Sequence, residues 1–395
     1  MPGPGAFWIG EEEKREVLDV LESGYVFRYG KLDDPRFKAK VYALEQEVAK
    51  HCGVKHAVAT SSGTSALLIS LQALGIGPGD EVICPAYTFV ASFTSVIAAG
   101  GLPVLAEIDE SLTLDPEDVR RRITPRTKAI MPVHMLGNPS DMDAIMDIAN
   151  EAGIPVLEDA CQAVGASYKG KKAGAIGKMG AFSLNFFKTV TAGDGGVVIT
   201  DDEDLYERAF GFHDQGHSPN RAGVEVGHRQ ILGLDFRMNE LTGAMALAQF
   251  RKVDKILTTL RSQKAKLRDA IGEIPGMTYR TVYDPDGECG TLLVTIFDSA
   301  ERAADAAAKI GSKTVDKSGW HVYCNMEHVM RYLAEMGQPN GKGAYPQTDD
   351  ILARSLALSV GVVDAGLGAG AGININSTDE EIQQCAEAFR GACGV

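Results

Sequence analysis

Lys188 and Asp159 are the two side chains in this chain best suited to act together on one small molecule. Lys188 stands in FSLNFFKTVTAGDGGVVIT (182–200), between an aromatic strand end and a glycine-rich turn into the next strand. A lysine amine among apolar neighbours loses its charge more readily and can then attack a carbonyl. Taken alone, such a lysine more often lies along the surface with its head in water. About thirty residues earlier, the apolar run 154–157 leads into Glu158 and Asp159. Ligands of open α/β sheets bind beyond the carboxyl ends of the strands, where an aspartate can pair with a cationic group. Alone, that aspartate would more often cap a helix or close a turn. A Schiff-base lysine combined with a carboxylate facing a protonated ring nitrogen is what pyridoxal 5'-phosphate (PLP) requires of a protein. The carboxylate keeps the pyridine ring protonated and so an electron sink.

A phosphate needs its own seat. SSGTSAL (61–67) follows a predicted strand and opens a predicted helix. Small hydroxyl residues and glycine at a helix start expose backbone N–H groups towards an anion, with the helix dipole behind them. Ordinary capping by Ser62 or Thr64 is the simpler use of the same residues. Ser183 could add a hydroxyl to the same phosphate. His213 and His217 stand four apart, a spacing that brings two side chains to one helix face. With no flanking glutamate or third ligand, they do not make a metal site. They either line a substrate mouth or sit on the surface.

These residues need a scaffold, and the first half of the chain supplies one. Helical patterns at 11–23, 34–51, 64–74, 88–99, 115–122 and 141–152 flank short apolar strands at 56–60, 81–84, 103–106, 128–131 and 154–157. Two further strands are expected at 180–184 and 195–200. The strands hardly alternate in polarity, as expected when both faces of a mostly parallel sheet are buried. Repeated β-α units imply a doubly wound α/β layer architecture. One long helix is expected over 239–271. Beyond residue 275 the pattern turns α+β, with a strand near 290–297 and helices near 300–310 and 379–390. Gly366 to Gly372 is glycine-rich, but it does not lead from a strand into a helix and so makes a poor dinucleotide loop.

The bulk properties remove several function classes. With 395 residues, 45% of them hydrophobic, the chain can bury a large core without disulfides or metals. A net charge of −14 disfavours nucleic acid and anionic membranes. The short basic run Arg120–Arg122 ends a predicted helix, where cations suit the dipole. Seven cysteines without C-x-x-C spacing point to a reducing compartment, not to a zinc site or a disulfide framework. The N-terminus lacks the basic start and apolar centre of a signal peptide, and the apolar stretch 90–105 is too interrupted to span a membrane. A cytoplasmic protein with small-molecule partners is expected.

SSGTSAL (61–67), EDACQAVGA (158–166) and FSLNFFKTVTAGDGGVVIT (182–200) together resemble the sugar aminotransferases of the DegT/StrS type, a branch of the fold-type I PLP enzymes. CPAYTFVAS (84–92), VHMLGNPSDM (133–142) and GLDFRMNELTGAMALAQF (233–250) extend the resemblance over most of the chain, weakening after about residue 275. It implies a mostly parallel seven-stranded sheet sandwiched by helices, plus a smaller α+β C-terminal domain. The large PLP-binding domain with an N-terminal helical arm would cover 1–250, and the small domain 251–395. Lys188 would form the internal aldimine and later move a proton. Asp159 would pair with the pyridine nitrogen, Gln162 would bond the ring hydroxyl, and Phe89 would stack on the ring. Gly63, Thr64 and Ser183 would hold the phosphate.

Asp235 stands where the family usually has an asparagine that reaches the phosphate of a neighbouring subunit. A carboxylate there is unfavourable unless protonated or re-aimed. SGYVFRYG (23–30), with Arg28 and Tyr29, and the segment from His213 to His217 look similar to the branch acting on an eight-carbon ketosugar acid. Cyclitol aminotransferases share much of this pattern, and the two stay open. His321, Tyr323 and His328 lie where the family places substrate-facing groups. Some dehydratases of the family carry His in place of the lysine, so Lys188 favours amino transfer. The implied enzyme is a homodimer with active sites at the interface, moving an amino group from glutamate or glutamine to a keto or aldehydo sugar or cyclitol. A decarboxylase, aldolase or lyase on the same scaffold, or a non-catalytic regulatory protein, are the alternatives.

Overall fold

A computed structural model of the protein describes residues 2–219, 229–362 and 370–395. Most of the glycine-rich run Gly366 to Gly372 lies outside the described residues. The first half forms β1 (His56–Thr60), β2 (Glu81–Pro85), β3 (Leu102–Ala106), β4 (Thr127–Ile130) and β5 (Leu157–Asp159). A two-residue hairpin, β6 (Ser167–Tyr168) and β7 (Lys171–Lys172), precedes β8 (Met179–Ser183) and β9 (Gly196–Thr200). Ladders run β3-β2-β4 and β5-β8-β9-β1. Parallel bridges Ile130–Val156 and Val133–Asp159 join them into one seven-stranded sheet. Only β9 runs against its neighbours.

Both faces of this sheet are covered, which explains the absence of alternation in its strands. Val58, Leu157, Ala181 and Val198 point into one buried cluster, together with helices Gly63–Ala73 and Val90–Ala98. Their neighbours Ala57, Ala59, Phe182, Val197 and Ile199 point into another, against helices Lys40–Cys52, Glu240–Phe250 and Val253–Ile271. Successive residues of a strand face opposite sides, so both parities must be apolar. Beyond the large sheet, β10 (Met277–Tyr279), β11 (Leu292–Phe297) and β12 (Ser355–Ser359) pair antiparallel in that order. Leu292 and Val294 join the first cluster while Leu293 and Phe297 join the second, so β11 extends both cores.

Several expected boundaries move, each for a local reason. The helix expected at 34–51 begins at Lys40. Asp34 instead closes a turn onto Arg36 and Phe37, and Ala39 is left-handed at φ 52°. The buried Glu240 carboxylate then takes the orphan N–H groups of Lys40 and Val41. The long helix expected over 239–271 is two helices that part at Arg251 and Lys252. Lys252 there bonds the carbonyl of Trp8 and the carboxylate of Glu13, tying the joint to the N-terminal arm. The strand expected at 154–157 pairs later, so Glu158 and Asp159 lie within β5 itself. Arg120–Arg122 ends its helix as expected, with Arg121 and Arg122 on Asp118 and Arg120 on Glu151. Among the described residues, no helix is long and apolar enough to cross a membrane.

Candidate active site

Strand parity places the chemistry. Asp159 shares its face of β5 with Leu157, and Ser183 shares its face of β8 with Ala181, so both side chains reach the same side of the sheet. A cavity of about 480 Å³ opens there. Ser62, Gly63, Thr64, Phe89, Asp159, Gln162, Ser183, Lys188 and His321 all line it.

The alternation also separates the two adjacent carboxylates. Glu158 faces the other side of the sheet, wholly buried. It accepts four hydrogen bonds, from His134 Nε2 and from the N–H groups of Gly174, Ile176 and Gly177. The N–H of Ser140 donates to His134 Nδ1, so Nε2 carries the proton given to Glu158. This carboxylate fastens β5 to its surroundings, while Asp159 faces the cavity. Asp159 Oδ2 accepts from Ser92 Oγ at 2.7 Å and Oδ1 from the N–H of Cys161 at 3.1 Å. Thr88 in turn donates to Ser92 at 2.7 Å. Ser92 was not legible as a site residue. Its reach to Asp159 comes from the docking of helix Val90–Ala98 against β2, β3 and helix Gly63–Ala73 and not from any spacing.

Lys188 follows a turn closed by Asn185, whose carbonyl accepts the Lys188 N–H at 2.9 Å. Its Nζ lies 5.8 Å from the Phe89 ring centroid. At the opening of helix Gly63–Ala73, Ser62 is the cap: its Oγ accepts the N–H of Ser65 at 3.0 Å. The N–H groups of Gly63 and Thr64, first in the helix, have no carbonyl one turn back and can receive an anion. A Cβ on Gly63 would lie 2.6 Å from Ser183 Cβ, so only glycine lets the helix start approach β8 this closely.

The fourth wall comes from the second half of the chain. The segment through Trp320 and His321 runs beside Tyr87–Val90, with the N–H of Thr88 on the His321 carbonyl and that of Val90 on the Trp320 carbonyl. His321 therefore faces the cavity as expected, its Nδ1 2.8 Å from Ser318 Oγ. Trp320 joins it unforeseen, because only the tertiary pairing brings this segment to the site. Cys161 also lines the cavity. Burial, with Asp159 beside it, raises its thiol well above the ordinary value, so it is not a ready nucleophile.

Seven expected site residues do not line this cavity. Arg28 is buried between Glu45, the Ala59 carbonyl and His213 Nε2. Arginine can only donate, so His213 Nε2 accepts and its Nδ1 donates to the Phe210 carbonyl at 2.6 Å. Tyr29 donates to Asp214 at 2.7 Å. These side chains are committed to a polar network under the N-terminal arm and do not line the cavity. His213 ends its helix, and left-handed Gln215 and Gly216 follow it, so His217 does not share a helix face with it. Tyr323 is buried with its hydroxyl on Asp349, and His328 is exposed on helix Glu327–Glu335. Asp235 accepts from Arg237 at 2.6 Å and does not line this chain's own cavity. Among the described residues, no group of three or more His, Cys, Asp or Glu is placed to hold a metal.

The two buried histidines predict a pH effect. Burial, with Arg28 alongside, pushes His213 down to about 3, and burial, with Lys188 near, does the same to His321. Between about pH 3 and the ordinary value near 6.5, the unfolded chain binds protons that the folded chain refuses. Stability from these groups is therefore complete above that window and is lost as pH falls through it. Each removes up to about 1.4 kcal/mol per pH unit. Urea unfolding of the cofactor-free protein at pH 7 and pH 5 checks this. The His321→Asn protein should lose less stability over that interval than the parent.

A model of the DegT/DnrJ/EryC1/StrS aminotransferase family matches residues 8–363. The chain belongs to this family. Within it, the chain is 41% identical over 246 residues to GDP-perosamine synthase of Caulobacter vibrioides, covering 62% of this chain and 63% of that one. It is 34% identical over 354 residues to the spore coat polysaccharide biosynthesis protein SpsC of Bacillus subtilis, covering 86% and 89%. Among solved structures, 3-amino-5-hydroxybenzoic acid synthase superposes with a TM-score of 0.81 at 28% identity, covering 98% of this chain and 97% of that one.

Proposed function

We propose that this family member is a PLP-dependent aminotransferase that moves an amino group from glutamate or glutamine to a keto or aldehydo group of a sugar or cyclitol, working as a homodimer. The observation that carries the reading is the meeting of Lys188, Asp159 and the start of helix Gly63–Ala73 in the wall of one cavity. A sugar acceptor is supported by the likeness to GDP-perosamine synthase.

The residues fit the cofactor. A carboxylate held by two donors suits a ring nitrogen, a helix start with two open N–H groups suits a phosphate, and an amine beside an aromatic face suits a carbonyl. PLP, when bound, supplies an aldehyde for amine capture and a ring that withdraws electrons from the bond being broken. Lys188 would hold that aldehyde carbon and, once released, take a proton from the donor's amine-bearing carbon as general base. Asp159, oriented by Ser92 and the Cys161 N–H, would keep the ring nitrogen protonated. Phe89 would cover one ring face, and Gln162 would meet the ring hydroxyl. Gly63, Thr64 and Ser183 would bind the phosphate.

The test is a visible absorbance titration of the PLP-loaded enzyme with glutamate and with glutamine. Conversion of the bound cofactor to its pyridoxamine form is expected with at least one of them. A loaded enzyme that no amino acid converts would overturn amino transfer and favour a different PLP reaction.

The phosphate seat has a separate check. In Gly63→Ala, the added methyl must displace Ser183 or the helix start. Affinity for PLP is expected to fall about tenfold or more, as one charge-assisted hydrogen bond is lost. Affinity for unphosphorylated pyridoxal should change little. Equilibrium dialysis of both compounds distinguishes a lost phosphate seat from general damage.

A further inference from the structure

Leu136 is a branched residue held in the left-handed region, at φ 57° and ψ 33°. Its side chain lines the cavity, and its N–H donates to Gln162 Oε1 at 2.9 Å. A non-glycine residue stays in this conformation only when its surroundings over-determine it, and here they do. The Leu136 carbonyl accepts from Arg280 Nη2 at 3.2 Å and from Thr291 Oγ1 at 3.0 Å, and the Met135 carbonyl accepts from Arg280 Nη1 at 3.2 Å. Next to it, Gly137 lies so close to Cys289 that a Cβ would stand 2.6 Å from the Cys289 Cβ.

Arg280 is buried, and its charge is not required where it lies. The nearby Glu288 carboxylate is already paired with Lys264, and Arg280 approaches it only to 3.7 Å. Among the described residues, Arg280 Nε and Glu288 Oε2 are buried without hydrogen-bond partners, so the cluster is not arranged for its own best pairing. One carboxylate faces two cations, and the surplus cation is the one aimed at the two carbonyls. A buried charge in excess is unfavourable unless it does something else.

We propose that Arg280 is a positioning residue for the cavity. By holding Leu136 left-handed it fixes the orientation of the Gln162 carboxamide, so that Gln162 offers its N–H₂ to the bound ligand and keeps its oxygen on the Leu136 N–H. The assignment rests on the reading that Gln162 meets the ring hydroxyl of PLP. An N–H donor there favours the ionised hydroxyl, so the clamp reaches the electronic state of the cofactor without touching it.

A double-mutant cycle on the PLP-loaded enzyme tests this, using Arg280→Met, Gln162→Ala and the pair, with Thr291→Val as a second route to the same carbonyl. Arg280→Met leaves the Lys264–Glu288 pair intact. The readouts are the PLP dissociation constant, the pH midpoint of the visible band and the melting temperature of the cofactor-free protein. Arg280→Met is expected to weaken PLP binding about tenfold and to move the band's midpoint upwards. Gln162→Ala should do the same, and the double variant should add little to either. If Arg280→Met does not fold, Thr291→Val should show the same non-additivity with Gln162→Ala. Strictly additive effects, or a loss of melting temperature with an unchanged band, would overturn the proposal. A parent protein that takes up no PLP would instead overturn the reading of the site on which the proposal rests.

Discussion

Lys188→Ala is expected to give a folded protein that still takes up PLP, cannot be tagged with it by borohydride reduction, and transaminates at least about 10⁴-fold more slowly. The size of the effect follows from what else lines the cavity. His321 is held near 3 by burial with Lys188 beside it, too weak a base to take a carbon-bound proton. The Cys161 thiol is pushed up by burial, Asp159 is held by Ser92 and the Cys161 N–H, and Asp194 is held by Asn185. Among the described residues, no other residue lining the cavity carries an amine. Lys188 is only half-buried, so the fold should lose less than about 0.5 kcal/mol. Single-turnover absorbance with glutamate measures the loss, and added methylamine should restore part of the rate. A variant that keeps even a few per cent of turnover would remove Lys188 from the chemistry.

Asp159→Asn is the second large effect. The substitution is close to isosteric and keeps an oxygen for Ser92 Oγ, so the end of β5 should hold its place. What it removes is the negative charge, and it sets an amide against the Cys161 N–H that now donates to Oδ1. A preorganised electrostatic contact of this kind contributes about 10²- to 10³-fold to rate. The amino-transfer rate is expected to fall by that factor, while borohydride still fixes PLP on the peptide bearing Lys188. A variant with parental kcat would show that the ring nitrogen does not depend on this carboxylate.

The sequence was informative where chemistry depends on local order. Asp159 ends a strand, Ser62 to Thr64 open a helix and Lys188 follows a turn, and each of these positions comes from a segment's own pattern of apolar, glycine and capping residues. The seven-stranded sheet was equally open to reading, because strands buried on both faces leave runs without alternation. Contacts between distant segments were not readable. Ser92 reaches Asp159 through the docking of one helix, and Trp320 reaches the cavity through pairing of its segment with Tyr87–Val90. The same blindness misplaced Arg28, Tyr29 and His213, polar residues that look ready to bind a ligand until the fold gives each a buried partner. The break at Arg251 and Lys252 was hidden for a similar reason. The residues there are good helix formers, and the anchoring of Lys252 to Trp8 and Glu13 comes from the far end of the chain.

The reversed strand β9 bears on how the protein comes to exist. It pairs with β1, setting Thr60 opposite Gly196, across a stretch of chain that includes most of the large sheet. Pairings between such distant segments form late, because the chain must lose the entropy of closing the intervening loop before any contact rewards it. The residues for the phosphate follow β1 directly, and the turn bearing Lys188 leads into β9. On a ribosome, neither half of the cavity can meet the other until β9 has emerged and closed against β1. The cofactor therefore cannot template the nascent sheet: it joins a chain that has already closed β9 against β1, and its stabilising effect acts against unfolding of the finished protein.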